Sequence, residues 1–260
     1  PVAGDNDIQI INNLRDQVQI LKEMWTGRTP AGIPMVPDEL TEAAFYGRED
    51  VAALLDEGKV PLGLDLETVE PVTWDLKKGN LLYLTDKEEQ MTQFVKQIAH
   101  SKQKVIVLVP AYNELPEMEG VTILSTKEDY VAGIKKMEEN IQLRLEQQKS
   151  QHEATIVLYN QLELMNDLGM DLQSSLNYVL EKGARAGYAT VAMSGSQLNR
   201  KIDEVSKSIK LYKQAIVAMR ITDQSVLNVI NRPVREEPLD SQVNYYVEDG
   251  FVRKVKVLMK

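Results

Sequence analysis

Leu81-Leu82-Tyr83-Leu84-Thr85-Asp86-Lys87-Glu88-Glu89-Gln90-Met91-Thr92 joins a short apolar run to the beginning of an amphipathic pattern. The run 81–84 reads as a buried strand, and the stretch through Phe94, Val95 and Ile98 reads as a helix over about 87–101. In an α/β domain, a working phosphate loop at this junction reads G-x-x-x-x-G-K-S/T. On that template the two glycines become Thr85 and Gln90, the lysine becomes Met91, and only the last hydroxyl survives, as Thr92. Glycines let backbone N–H groups converge on an anion, through φ values that other residues adopt reluctantly. Three carboxylates, Asp86, Glu88 and Glu89, stand instead in the first turn, where the helix dipole attracts negative charge. Thr85-x-x-Glu88 also fits a capping box, in which the chain's own side chains satisfy the free donors. The expectation for 85–92 is a structural helix start that repels phosphate. Weak nucleotide binding in an altered geometry is the alternative.

Composition bounds the remaining possibilities. The chain has 260 residues, enough for one large domain with an appendage or two small ones. Its 43% hydrophobic and 27% charged residues are ordinary for a globular protein. A net charge of −9 disfavours nonspecific binding to nucleic acid or anionic membrane, which depends on neutralising phosphates. Without cysteine there is no disulfide framework, thiolate zinc site or cysteine nucleophile. No apolar run is long enough to span a membrane and no signal peptide opens the chain. It begins at Pro1 rather than methionine, so a fragment of something longer is expected. His100 and His152 are isolated in sequence, and neither is expected to be catalytic or to bind metal.

Residues 7–25 form the first helical pattern, with Ile8, Ile11, Leu14, Val18, Leu21 and Trp25 on one stripe. Gly27 and Pro30 end it, and a proline-rich connector runs from Thr29 to Pro37. Residues 1–30 are read as a linking helix and connector, which either packs on the main domain or joins a preceding one. Residues 31–260 form the main domain. There, short helices are expected over 38–44 and 49–55, and strands over 61–66 and 69–76. Strands 105–109 and 121–124 precede a helix over 127–148 that starts at Thr126-x-x-Asp129. Strand 156–159 ends at Asn160, and a helix over 162–182 follows with an interruption near Gly169. Strand 188–193, helix 196–206, strand 215–219 and a short helix 223–229 come next. Strands 243–247 and 251–258 close the chain across Glu248-Asp249-Gly250. Buried strands alternating with helices predict an α/β fold: a mostly parallel sheet flanked by helices, with an antiparallel edge.

The order of these elements resembles the FtsK/SpoIIIE class of RecA-like motor ATPases. Gly63-Leu64-Asp65 precedes a strand, a turn and the displaced phosphate loop. Gly183-Ala184-Arg185-Ala186-Gly187-Tyr188 is similar to the segment before the family's sensor strand. Ala218-Met219-Arg220-Ile221-Thr222-Asp223-Gln224-Ser225 resembles a stretch ending in aspartate and serine. Within the class, Gly32-Ile33-Pro34-Met35-Val36-Pro37-Asp38-Glu39-Leu40 is similar to the start of the last, degenerate ATPase module of EssC-type type VII secretion motors. The resemblance implies a RecA-like, P-loop NTPase-like fold in a module on the cytoplasmic side of a membrane-anchored bacterial motor. It implies WXG100-type secreted proteins and preceding ATPase modules of the same chain as partners, and a homo-hexamer in the full machine.

The departures from the family pattern bear on chemistry. Active members place a magnesium-holding aspartate where this chain has Asn160, an uncharged and poorer ligand for a hard cation. Glu163, three residues on, could substitute or be a solvated surface charge. With Met91 in place of lysine, the cradle for a transferred phosphoryl group is missing. No catalytic residue, metal or cofactor is expected, with ATP and magnesium bound weakly at most. Arg220 matches a family arginine and reads either as a finger acting in trans or as a structural ion pair. The leading expectation is an inactive module for substrate recognition and regulation of export; the alternative is an active translocase module with an atypical nucleotide site.

Overall fold

The computed structural model describes residues 7–24, 35–101, 103–232 and 235–258. The chain divides into two compact units, 1–35 and 36–260. In the first, helix α1 covers Asp7–Met24. Trp25 and residues 29–34 of the expected connector lie outside the described residues.

The second unit opens with helices α2 (Glu42–Tyr46) and α3 (Glu49–Asp56). The first of these is shifted from the expected 38–44, because Thr41 caps it: its Oγ1 accepts from the Ala44 N–H at 3.2 Å. Strands β1 (Val60–Asp65) and β2 (Pro71–Trp74) pair antiparallel. Gly63 lies where β1 meets the closing strand so tightly that a Cβ would sit 2.2 Å from the Lys256 carbonyl oxygen. Strand β3 (Leu81–Leu84) leads into α4 (Glu88–His100), and β4 (Val105–Leu108) and β5 (Val121–Leu124) follow. Helix α5 (Lys127–Glu146) begins at the expected capping box of Thr126 and Asp129. Strand β6 (Ala154–Leu158) precedes α6 (Gln161–Asp167) and α7 (Met170–Lys182), which are separated at Gly169 as the pattern indicated. Strand β7 (Tyr188–Ser194), helix α8 (Glu204–Ile209) and strands β8 (Gln214–Val217), β9 (Val243–Glu248) and β10 (Phe251–Lys256) complete the domain.

All ten strands join one sheet in the order β2-β1-β10-β9-β8-β3-β7-β6-β4-β5. The six from β8 to β5 are parallel. The antiparallel edge is broader than the closing hairpin, because β10 also pairs with β1 and so recruits the opening hairpin. Asp249 and Gly250, both with positive φ, form the two-residue turn between β9 and β10. Two expected helices are corrected. The 196–206 segment is a 3₁₀ turn (Ser196–Arg200) and then α8, divided where Asp203 Oδ1 accepts from the Ser206 N–H. The 223–229 segment holds only a 3₁₀ turn at Ile221–Asp223. Beyond it, the Gln224 side chain accepts from the Leu227 N–H at 2.8 Å and stabilises a local loop.

Strand parity sorts the core into two layers. Leu82, Leu84, Leu108, Ile156 and Leu158 face α5, α7 and α8, including Ile134, Ile141, Leu176, Val179 and Ile209. Leu81, Tyr83, Val105, Val107, Val157 and Tyr159 face α4 through Met91, Phe94, Val95 and Ile98. Burial of each such side chain is worth about 1.5–3 kcal/mol. A smaller cluster, Leu40, Phe45, Val51, Leu64 and Leu258, seats α2 and α3.

Candidate functional site

The carboxyl ends of parallel strands are where open α/β sheets bind ligands. The β3–α4 junction lies there, with β3 flanked on both sides by parallel strands. The Thr85-x-x-Glu88 capping box is not formed. Thr85 runs on in line with β3, its N–H donating to the Ser194 carbonyl at 2.9 Å, so the helix starts at Glu88, and Lys87 at the N-cap position makes no side-chain cap bond. Thr85 Oγ1 instead accepts from the Lys87 N–H at 3.1 Å and donates to Gln90 Oε1. The two positions that the template assigns to glycine are thus tied to each other by their side chains.

The rest of the junction is equally engaged. Asp86 Oδ1 accepts from the Ser196 N–H at 2.9 Å and from its hydroxyl at 3.3 Å, which anchors the loop after β7. Glu88 Oε1 accepts from Asn113 Nδ2. Met91, at the lysine position, is 4% exposed and packs in the layer between α4 and the sheet. Lys87, Glu89 and Gln90 line a cavity of about 230 Å³ whose floor includes Leu62, Tyr83 and Phe94. The Tyr83 and Phe94 rings stack with centroids 4.6 Å apart.

The surviving hydroxyl, Thr92 Oγ1, lies 2.9 Å from the hydroxyl of Tyr159 and 3.3 Å from the Glu88 carbonyl, to which it donates. The Tyr159 hydroxyl lies 3.2 Å from that carbonyl, and with the Thr92 proton given to the carbonyl the single phenol proton is shared between the carbonyl and Thr92 Oγ1. Burial pushes the Tyr159 phenol above its ordinary range. Sequence reading assigned the strand-end role to Asn160, but Tyr159 is the residue brought to Thr92. Asn160 sits one residue on in a left-handed conformation, φ 44°, at the start of α6, and its Nδ2 donates to the Tyr112 hydroxyl at 3.4 Å. Glu163 is on α6, where its carboxylate accepts from Asn166. The parity of β6 was the available signal for Tyr159, since odd-numbered residues of that strand face α4.

Arg220 stands apart from this junction in its bonding. It is exposed and forms a two-pronged ion pair with Asp223, at 2.8 and 3.0 Å, which is the structural reading of that residue. His100 stacks on Tyr46 at 3.8 Å. Among the described residues no cluster of His, Cys, Asp or Glu could hold a metal ion, and no helix is long and apolar enough to cross a membrane.

Sheet order and helix placement together define a P-loop NTPase-like α/β domain of the RecA kind. Comparison with known proteins places it further. The chain is 26% identical over 255 residues to the type VII secretion system protein EssC of Staphylococcus aureus, a match covering 94% of this chain and 17% of the relative. It is 27% identical to the ESX secretion system protein YukB of Bacillus subtilis, over 99% of this chain and 18% of that one. A solved structure of ATPases 2 and 3 of EssC from Geobacillus thermodenitrificans superposes with a TM-score of 0.82 at 20% identity, over 98% of this chain and 51% of that one. No family profile matches. The chain is therefore homologous to the ATPase domains of EssC-type secretion motors, as its sequence resemblance indicated. It spans less than a fifth of the length of these curated relatives.

Proposed function

We propose that this chain is a module of a type VII secretion motor that has exchanged nucleotide chemistry for recognition and regulation in protein export. The observation that carries this reading is the burial of Met91 where a phosphate loop has its lysine. The side-chain closure of the junction by Thr85, Gln90, Thr92 and Tyr159 supports it. A triphosphate approaching α4 would meet Glu88 and Glu89 rather than converging N–H groups and a cation. In this reading the module stands on the cytoplasmic side of a membrane-anchored motor, coupled to ATPase modules of the same chain. Its cargo would be WXG100-type secreted proteins. Another relative, Thermomonospora curvata EccC, has been solved as ATPases 2 and 3 in complex with a signal sequence peptide, with a TM-score of 0.65. The cavity beside α4 has an apolar floor and a rim of Gln90, Gln93 and Asn244. It suits one or two apolar side chains of an extended or helical export segment.

Calorimetric titration of the 260-residue chain with Mg·ATP, paired with a phosphate-release assay, tests the loss of nucleotide chemistry. The expected result is no saturable binding below the millimolar range and no turnover. Low-micromolar affinity with hydrolysis would establish an active translocase module with an unorthodox site instead.

A further inference from the structure

Gln90, Gln93 and Gln97 of α4 form one wall of the cavity beside that helix. Their spacing of three and four residues puts them on a single helical face. Each uses one end of its amide within the chain. Gln90 Oε1 accepts from the Thr85 hydroxyl, Gln93 Nε2 donates to Glu42 at 3.3 Å, and Gln97 Nε2 donates to the Pro61 carbonyl at 2.7 Å. The opposite ends, Gln90 Nε2, Gln93 Oε1 and Gln97 Oε1, have no hydrogen-bond partner among the described residues. Gln97 is only 6% exposed, a setting in which amide groups are normally paired. Its free oxygen is not among the atoms shut away from solvent without a partner, so it opens to the cavity that the residue lines.

A wall of one donor and two acceptors calls for a ligand with the complementary pattern. Lys87 and Glu89, of opposite charge, line the same cavity and together favour neither sign. A helix cannot supply the pattern, because its own N–H and C=O groups bond each other. An extended segment can. Along one edge of a strand the N–H and C=O of every second residue point outward, with a repeat of about 6.6–6.8 Å. Gln93 and Gln97 are four residues apart on α4, a rise of about 6 Å. From Gln97 to Gln90 the free groups run acceptor, acceptor, donor. The match is the N–H of one residue, the N–H of the second residue on, and then that residue's carbonyl, so the strand runs opposite to α4. Its side chains stand perpendicular to this edge. Alternate ones therefore reach Leu62, Tyr83 and Ile216, which the sheet contributes to the cavity.

We propose that Gln90, Gln93 and Gln97 form an amide ladder that reads the backbone of an extended, uncharged peptide segment, while the cavity takes two of its apolar side chains. This rests on the reading of the cavity as a docking site for export segments, and it fixes the conformation recognised. Backbone groups are common to all sequences, so recognition tolerates different residues at the positions that face away from the cavity.

The test is a titration of the isotope-labelled 260-residue chain with N-acetyl-Thr-Leu-Thr-Val-Thr amide, followed by NMR at the side-chain amides of Gln93 and Gln97. The apolar residues of this peptide alternate. An analogue N-methylated at every interior residue keeps the side chains and loses the N–H donors, and it is titrated in parallel. The expected result is a saturable shift of both signals with the parent peptide in the millimolar range. Affinity for the methylated analogue should be at least tenfold weaker, as the loss of two hydrogen bonds requires. Gln93→Met gives up only an exposed bond to Glu42 and should weaken the parent peptide at least threefold. A methylated analogue that binds as tightly as its parent, or an unchanged affinity in Gln93→Met, overturns the ladder and leaves the docking reading standing. No saturable shift at the glutamines, Tyr83 or Phe94 with either peptide overturns both.

Discussion

Replacing Met91 by lysine restores the one residue that a phosphate loop most needs, and the structure dictates that it will not help. The side chain at this position enters the layer between α4 and the sheet, beside Tyr83, Phe94 and Val157. A lysine there is either buried charged, at a large solvation cost, or buried neutral. With an ordinary pKa near 10.4, deprotonating it at pH 7 costs about 4.6 kcal/mol. That figure bounds the penalty, because the four-carbon stem fills much of the methionine's volume. It is a large share of the roughly 5–15 kcal/mol that stabilises a typical domain. The folded pKa of the lysine lies below the unfolded one, so between the two the unfolded chain binds more protons and stability rises with pH. At pH 9.5 the same bound falls to about 1.2 kcal/mol. Urea unfolding of Met91→Lys and the parent chain at both pH values measures the difference directly. The expected outcome is a loss of several kcal/mol at pH 7 that recovers by most of its size at pH 9.5, with no gain of ATP binding. A loss below about 1 kcal/mol with no pH trend would refute the reasoning, because it would mean that residue 91 reaches solvent at the junction as a phosphate-binding lysine must.

Three further outcomes follow from named contacts. Tyr159→Phe removes a hydroxyl shared with Thr92 and the Glu88 carbonyl and should cost about 1 kcal/mol in urea unfolding. Combined with Thr92→Val it should cost less than the sum of the single changes by about 0.5 kcal/mol or more; strict additivity would show that the hydroxyls do not meet. Gly187→Ala should lower the melting temperature by at least about 4 °C, because φ is +85° there and a Cβ would lie 1.9 Å from the Gln151 carbonyl oxygen; an unchanged melting curve would contradict the placement of that turn. Burial raises the Glu236 carboxyl, but N–H donors of Thr222 and Ile221 outweigh it and hold the group below its ordinary range. The stability it contributes is present above its unfolded pKa and is lost as pH falls through the lowered folded value. Glu236→Gln should therefore flatten the acid limb of the stability curve, and an identical acid limb would remove the role assigned to this side chain.

The central strands β3, β4, β6, β7 and β8 were legible because burial of both sheet faces leaves mostly apolar runs in the sequence, whereas the closing strands β9 and β10 were read from the Glu248-Asp249-Gly250 turn between them. The helix starts were less so. At Thr126 and Asp129 the capping box formed as written. At Thr85 the same pattern failed, because a tertiary hydrogen bond to Ser194 holds the residue in line with β3 and the N-cap position falls two residues on, at Lys87. Local propensity could not register a partner more than a hundred positions away. The strand-end residue shows the opposite case, a signal that was present and unused. Val157 and Tyr159 alternate with Ile156 and Leu158, and only the odd pair shares a layer with α4. Because side chains alternate along a strand, a residue that meets Thr92 from β6 must have the parity of Val157, which selects Tyr159 and rejects Asn160. The consequence is chemical. A carboxylate at that position would face the threonine hydroxyl and invite a cation, whereas a phenol bonds the hydroxyl directly and fills the space. The loss of nucleotide chemistry proposed for this module then rests on two buried side chains from different elements, Met91 and Tyr159. It does not depend on the acidic surface alone, and reversing the charge of Glu88 or Glu89 should not restore ATP binding while both remain.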